Sequence, residues 1–213
     1  LTLDGRLRPV TGALAAALEL AGSDTAMVVA TDNAAEAAVA GTVPAFGAQS
    51  LNAVTAHLRG EDPLTQAVPG DPPAHSPPDL AEVRGQEPAK RALEVAAAGA
   101  HGLLMSGPPG SGKTLLARCL PGILPALGTD HQVEVARIRS VQGEAVAALD
   151  PVPPFRAPHH SASTPALVGG GSPPRPGEIT RAHRGVLFLD ELPEFQRPVL
   201  EALREPLETG EVS

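Results

Sequence analysis

"GPPGSGKT" occupies residues 107–114, directly after the apolar run "GLLM" at 102–105. It satisfies the pattern G-x-x-x-x-G-K-[ST] through Gly107, Gly112, Lys113 and Thr114. Glycines reach backbone conformations closed to other residues, so main-chain N–H groups can close around phosphate oxygens. A helix that starts near Gly112 turns its positive end on the same oxygens. Lys113 brings a point charge to the β and γ oxygens, and the Thr114 hydroxyl can bind Mg²⁺. The chain has only two lysines, Lys90 and Lys113, and its composition yields about 0.002 chance matches to the pattern. The stretch therefore predicts a nucleotide-binding loop, with Pro108, Pro109, Gly110 and Ser111 completing the cradle. The flanking pattern predicts a strand over 102–106 and a helix over 113–120, ending at Pro121.

Such a loop works with an acid at the end of a neighbouring strand. "GVLFLDE" (185–191) reads as a buried strand that ends in two carboxylates. Asp190 would emerge at its carboxyl end, where open α/β sheets bind ligands, and would hold Mg²⁺. Glu191 would orient and deprotonate an attacking water, so the pair suits hydrolysis better than transfer to another acceptor. Lys113 and Asp190 stand further apart than the ~60 residues of two βαβ steps. The surplus falls in the Pro- and Gly-rich stretch 150–178, which reads as an inserted loop.

Outward from this centre the chain divides. Residues 1–60 read as a small α/β unit, with helices over 11–22, 31–41 and 50–60, a strand over 26–30 and an edge strand over 42–46. Residues 61–78 carry six prolines and read as a stiff linker. From Asp79 a second unit begins, with a helix over 86–99 that has Pro88 in its first turn. "VEVARI" (133–138) suggests a strand, "VQGEAVAAL" (141–149) a weak helix, and "QRPVLEALREPL" (196–207) an amphipathic helix. The alternation predicts an α/β fold, a parallel sheet flanked by helices.

The bulk numbers narrow the function classes. A chain of 213 residues with net charge −8 is no general polyanion binder. Four aromatic residues, all Phe, provide few platforms for stacking bases. One cysteine, Cys119, allows no internal disulfide and fits a reducing, cytoplasmic setting. No apolar run approaches the ~18 residues of a membrane span, so no membrane partner is expected. The chain starts at Leu1 and stops at Ser213 inside an expected strand, which reads as a piece of a longer protein.

"GPPGSGKT", "PFRAPHHSAS", "ALVGGG", "PRPGEITRAHRGVLFLDELPEF" and "LEALREPLETGEV", in that order, resemble the Mg-chelatase-like AAA+ ATPases of the ComM/YifB group. The resemblance covers nearly all of 79–213. "LTLDGRLRPVTGALAAALELAG" is similar to the end of the Lon-protease-like (S5-like) domain that precedes the ATPase in that group. The resemblance implies a P-loop AAA+ core over 79–213, a homo-oligomeric (hexameric) ring, and ATP with Mg²⁺ at subunit interfaces. Val83, Gly85 and Gln86 match the segment near the adenine, and 150–178 matches an insertion that can face the pore. Some members of the group drive branch migration of DNA, as helicases linked to competence; chelatase relatives use the motor to insert Mg²⁺ into a porphyrin. In "VTGALA", where Lon-type peptidases carry a catalytic lysine, this chain has Leu14 and alanines, which argues against a peptidase. The family's sensor Asn, arginine finger and lid would follow Ser213.

Three readings stay open: a ring motor acting on DNA, a chelatase motor, and an assembly module gated by nucleotide without useful turnover. His159 and His160 read as loop-packing or partner-contact residues, since adjacent side chains diverge in regular structure and share a metal only in an irregular loop. His183 reads as structural. Arg175, Arg181 and Arg184 read as a solvated face or as phosphate contacts. Cys119 reads as a small core residue.

Overall fold

The computed structural model describes residues 1–172 and 174–210, without the side chain of Glu208. The strand expected around Ser213 and Pro173 of the inserted loop lie outside the described residues. In chain order the elements are α1 (Ala13–Glu19), β1 (Met27–Ala30), α2 (Thr31–Val39), β2 (Ala45–Ala48), α3 (Leu51–Leu58), α4 (Glu87–Gly99), α5 (Lys113–Ile123), α6 (Thr129–Val141), β3 (Phe155–Arg156), α7 (Thr164–Val168), β4 (Gly169–Gly170), β5 (Arg175–Pro176), α8 (Glu178–Arg181), β6 (Val186–Leu187), α9 (Arg197–Ala202) and α10 (Arg204–Thr209). The protein is a mixed α/β structure with small parallel sheets. Contacts divide it into one unit of Leu1–Pro73 with Thr129–Asp150, and another of Ala74–Gly128 with Pro151–Ser213.

In the first unit β1 and β2 pair in parallel, Met27 against Ala45 through Ala30 against Ala48. The crossover is α2, whose small residues let helix and sheet approach closely: Ala34, Ala37 and Ala38 are buried with Ala17, Val29 and Ala45. The Ser50 hydroxyl caps α3 by accepting from the Ala53 amide at 3.3 Å. A second cluster joins Leu14, Val39, Ala136 and Val146. Its polar counterpart is centred on Glu36. The fully buried Ser140 hydroxyl donates to Glu36 Oε1 at 2.6 Å, and Asn33 Nδ2 donates to Glu36 Oε2 at 3.0 Å and to the Val10 carbonyl at 2.9 Å.

In the second unit α4 and α5 pack around Leu80, Val83, Leu93, Leu116 and Cys119. A further cluster holds Leu167, Phe195, Val199 and Leu203. β3 pairs in parallel with β6, Phe155 against Val186 and Arg156 against Leu187, while β4 and β5 form a short antiparallel pair. Gly185 makes the parallel pair possible: a Cβ there would stand 2.1 Å from the Pro154 carbonyl oxygen. The Val186 amide donates to that same oxygen at 2.8 Å.

Several sequence expectations change. "VEVARI" is the middle of α6, not a strand, and α6 belongs with the first unit rather than with the rest of 79–213. Its buried positions Val135, Ala136 and Ser140 follow helical spacing. "VQGEAVAAL" is no helix: α6 ends at Val141, and Gly143 turns the chain with positive φ. Residues 102–106 form no strand. A strand exists only through its ladder, no described strand pairs with this segment, and Leu104 is 79 % exposed. The 185–191 strand shortens to a half-buried Val186–Leu187. α5 runs through Pro121 to Ile123, with Pro121 buried. The 196–207 helix is two, α9 and α10, and the inserted loop 150–178 contains β3, α7, β4, β5 and the start of α8. The edge strand over 42–46 begins only at Ala45.

Ser140→Ala should lower stability in urea by about 1–3 kcal/mol, because the hydrogen bond from a fully buried hydroxyl to a half-buried carboxylate is lost. Ser23→Ala, at an exposed hydroxyl, should change it by less than ~0.5 kcal/mol. Equal midpoints for the two variants would contradict the Glu36 network.

Candidate nucleotide site

The loop over 107–114 is shaped by its glycines. Gly110 and Gly112 have φ of 75° and 83°, in the left-handed region, and Ser111 lies between them. Alternation of this kind turns successive amides toward one concavity, an anion nest. Gly112 is the N-cap of α5, which is long enough for its dipole to add positive potential there. Lys113 Nζ curls back over the loop and donates to the carbonyls of Gly107 at 2.9 Å and Pro108 at 3.1 Å. Gly107 leaves room for the Ser111 hydroxyl, which a Cβ there would meet at 3.1 Å. Pro109 completes the turn ahead of Gly110 and is exposed.

Gln86 buttresses this loop, a contact the sequence did not disclose. Its Nε2 donates to the Ser111 carbonyl at 2.7 Å, and its backbone is held at φ 60° as the N-cap of α4. Gly85, also at positive φ, gives the turn that delivers it. Val83 faces the other way, 6 % exposed within the Leu80–Leu93–Leu116–Cys119 core. Of the three residues expected near a base, then, one is packed inside and one touches the loop.

The two acids follow β6. Asp190 comes to the first turn of α5, where Thr114 Oγ1 donates to its Oδ2 at 2.9 Å. Asp190 Oδ1 accepts from the Glu191 amide at 3.1 Å. Glu191 has φ 53° and ψ 47°, a left-handed conformation costly for a residue with a side chain, and caps the short 3₁₀ turn Leu192–Glu194. The Thr114 hydroxyl and the Asp190 carboxylate are hard oxygen donors converging on one point, a set suited to Mg²⁺. The nest and the ammonium suit a polyphosphate. Among the described residues, no group of three or more His, Cys, Asp or Glu side chains gathers as a metal site.

The histidine pair behaves unexpectedly. The rings of His159 and His160 do not diverge but face each other with centroids 4.0 Å apart, in irregular backbone. His160 Nδ1 lies 3.2 Å from Glu191 Oε2. Nearby, Arg156 of β3 grips Glu178 with two bonds, Nε to Oε2 at 2.6 Å and Nη2 to Oε1 at 2.9 Å. Arg181 Nη1 adds 3.0 Å to Oε1, so the arginine expected on a solvated face is part of an ion-pair network. Arg175 stays exposed on β5. The Arg156 bonds hold the Glu178 carboxyl below the usual glutamate range, against a smaller opposing effect of burial. Burial raises the Cys119 thiol, helped by Glu82 and Asp79, which fits an inert core cysteine.

The family model described as "Magnesium chelatase, subunit ChlI" matches residues 79–213. Over 216 residues, all of this chain and 42 % of the relative, the sequence is 49 % identical to YifB of Salmonella typhimurium. It is 49 % identical to Rv2897c of Mycobacterium tuberculosis over 217 residues, and 47 % identical to the competence protein ComM of Haemophilus influenzae over 219, in each case across all of this chain and 43 % of the relative. The chain thus spans well under half the length of the curated relatives it matches. No described helix is long and apolar enough to cross a membrane.

Glu178 gives the second unit a defined acid response. Its folded pKa is depressed, so its stabilisation is complete above the ordinary value of 4.5 and disappears as pH falls through the lower folded value. Glu178→Gln should lose about 1–3 kcal/mol at pH 7, and the gap to the parent should close in urea titrations taken progressively below pH 4.5. A gap that persists undiminished at pH 2–3 would rule out the ion pair as its source.

Proposed function

Because the chain belongs to the magnesium chelatase, subunit ChlI, family, we propose that it is the ATP-binding and ATP-hydrolysing part of an AAA+ ring motor, with Mg²⁺ as cofactor. The observation that carries this reading is the 2.9 Å approach of Thr114 to Asp190 beside a Gly110–Gly112 nest and the Lys113 ammonium. A bound Mg·ATP supplies the scissile phosphoanhydride and neutralisation of its charge. Main-chain amides of Gly107, Pro-flanked Gly110, Ser111 and Gly112 cradle phosphate oxygens, and Lys113 exchanges its loop carbonyls for them. Thr114 and Asp190 hold the metal. Glu191 receives the proton of the attacking water at its carboxylate. Gln86 holds the loop in shape from the side, Gly85 gives the turn that brings it there, and Val83 serves from within the core beneath them.

We assign the work done to DNA, in a homo-hexameric cytoplasmic ring, as branch migration or helicase action. Support comes from the 47 % identity to a relative whose name is competence protein ComM. The family match itself favours a second reading, a motor for inserting Mg²⁺ into a porphyrin. Peptidase activity is not proposed: Leu14 is a fully buried core side chain in the first unit.

The test uses the full-length protein. Lys113→Ala should abolish Mg·ATP binding, and near-normal affinity would overturn the loop assignment. Glu191→Gln should keep binding but slow hydrolysis by ~10²–10⁴-fold. Branched DNA should stimulate turnover; stimulation only by a chelatase partner with porphyrin would favour the second reading, and binding without turnover the assembly module.

A further inference from the structure

The parallel pairing of β3 with β6 has a consequence outside the strands themselves. Arg156 is level with Leu187 in the register. Four positions beyond each stand His160 and Glu191, both past the strands, on the two chain segments that leave the carboxyl edge of the pair, where α/β sheets place their chemistry. There His160 Nδ1 lies 3.2 Å from Glu191 Oε2.

The imidazole is held before it meets the carboxylate. On one side lies the His159 ring, at 4.0 Å between centroids. His159 is in turn fixed by its own turn, its Nδ1 accepting from the Ser161 amide at 3.2 Å. On the other side the buried Phe195 ring meets His160 edge-on at 6.5 Å, and Phe195 is locked among Leu167, Val199 and Leu203. Glu191 has no such packing. Its side chain is 65 % exposed and its backbone sits in the left-handed region. An exposed, unpacked carboxylate beside a packed ring takes its direction from the ring, and correct direction matters steeply for proton abstraction.

We propose that His160 is a positioning residue for Glu191: it holds the carboxylate through Nδ1–H and thereby sets the rate of hydrolysis without taking part in nucleotide affinity. The proposal rests on the reading of Glu191 as the base. It also gives the segment 157–163 a role in turnover, so that whatever touches that segment can act on the rate.

The contacting atom makes the test specific. Asparagine places its amide nitrogen where histidine carries Nδ1, whereas glutamine places it where histidine carries Nε2. In the full-length protein, kcat, KM and the Kd for a fluorescent Mg·ATP analogue are measured for His160→Ala, His160→Asn and His160→Gln. His160→Ala should lower kcat ~10–100-fold with Kd within about twofold of the parent. His160→Asn should recover to within ~5-fold of the parent, and His160→Gln should stay near His160→Ala. In the Glu191→Gln background His160→Ala should add no further loss. Parent-like kcat in His160→Ala, equal damage from Asn and Gln, or additive loss in the double variant would overturn the proposal. If Glu191→Gln alone hydrolyses at the parental rate, the base assignment fails; if it is slow while His160→Ala is not, only the role of His160 fails.

Discussion

The Thr114 hydroxyl meets the Asp190 carboxylate at 2.9 Å across 76 residues of sequence, and the candidate site exists only because of that meeting. One partner stands on the first turn of α5, directly after the glycine loop. The other stands beyond β6. Their approach requires β6 to be seated beside β3, and that seat requires a residue without a side chain at Gly185, where the backbone of Pro154 leaves no room for one. A bulkier residue at 185 would act on the site from a distance by pushing β6 off its partner.

The site is assembled in a satisfied condition. Lys113 donates to loop carbonyls, Thr114 is bonded to Asp190, Gln86 to Ser111, and Glu191 is in contact with His160. A polyanion entering the loop therefore exchanges existing partners for new ones, and the bonds given up offset part of what it gains. Two of the four non-glycine residues with positive φ among the described residues lie in the same place. Gln86 and Glu191 both hold positive φ, and each borders a group with a proposed role.

What was legible in the sequence was what short-range chemistry dictates. The pattern from Gly107 to Thr114 fixed the turn, the start of α5 and the ammonium, because those features depend on adjacent residues. Ser50 and Pro88 marked helix starts for the same reason. The pairing of the loop with Asp190 was foreseeable, since a strand ending in acids has few other uses beside such a loop. Long-range facts were not. The β-branched run in "VEVARI" favours a strand locally, but burial of Val135, Ala136 and Ser140 on one side selects a helix. Residues 102–106 have the composition of a strand and no described partner to make them one. The contacts of Gln86 with Ser111 and of His160 with Glu191 join residues distant in sequence through backbone conformations that no local pattern announces.

The chain crosses between its two units three times, after Pro73, after Gly128 and after Asp150. Excision is the feature's practical meaning. A polypeptide begun at residue 79, where the family match begins, would carry α6 away from the surface that covers it. Val135, Ala136 and the wholly enclosed Ser140 would then face water. A cut within the proline-rich segment alone would release neither unit, because residues 129–150 would still tether them from both ends.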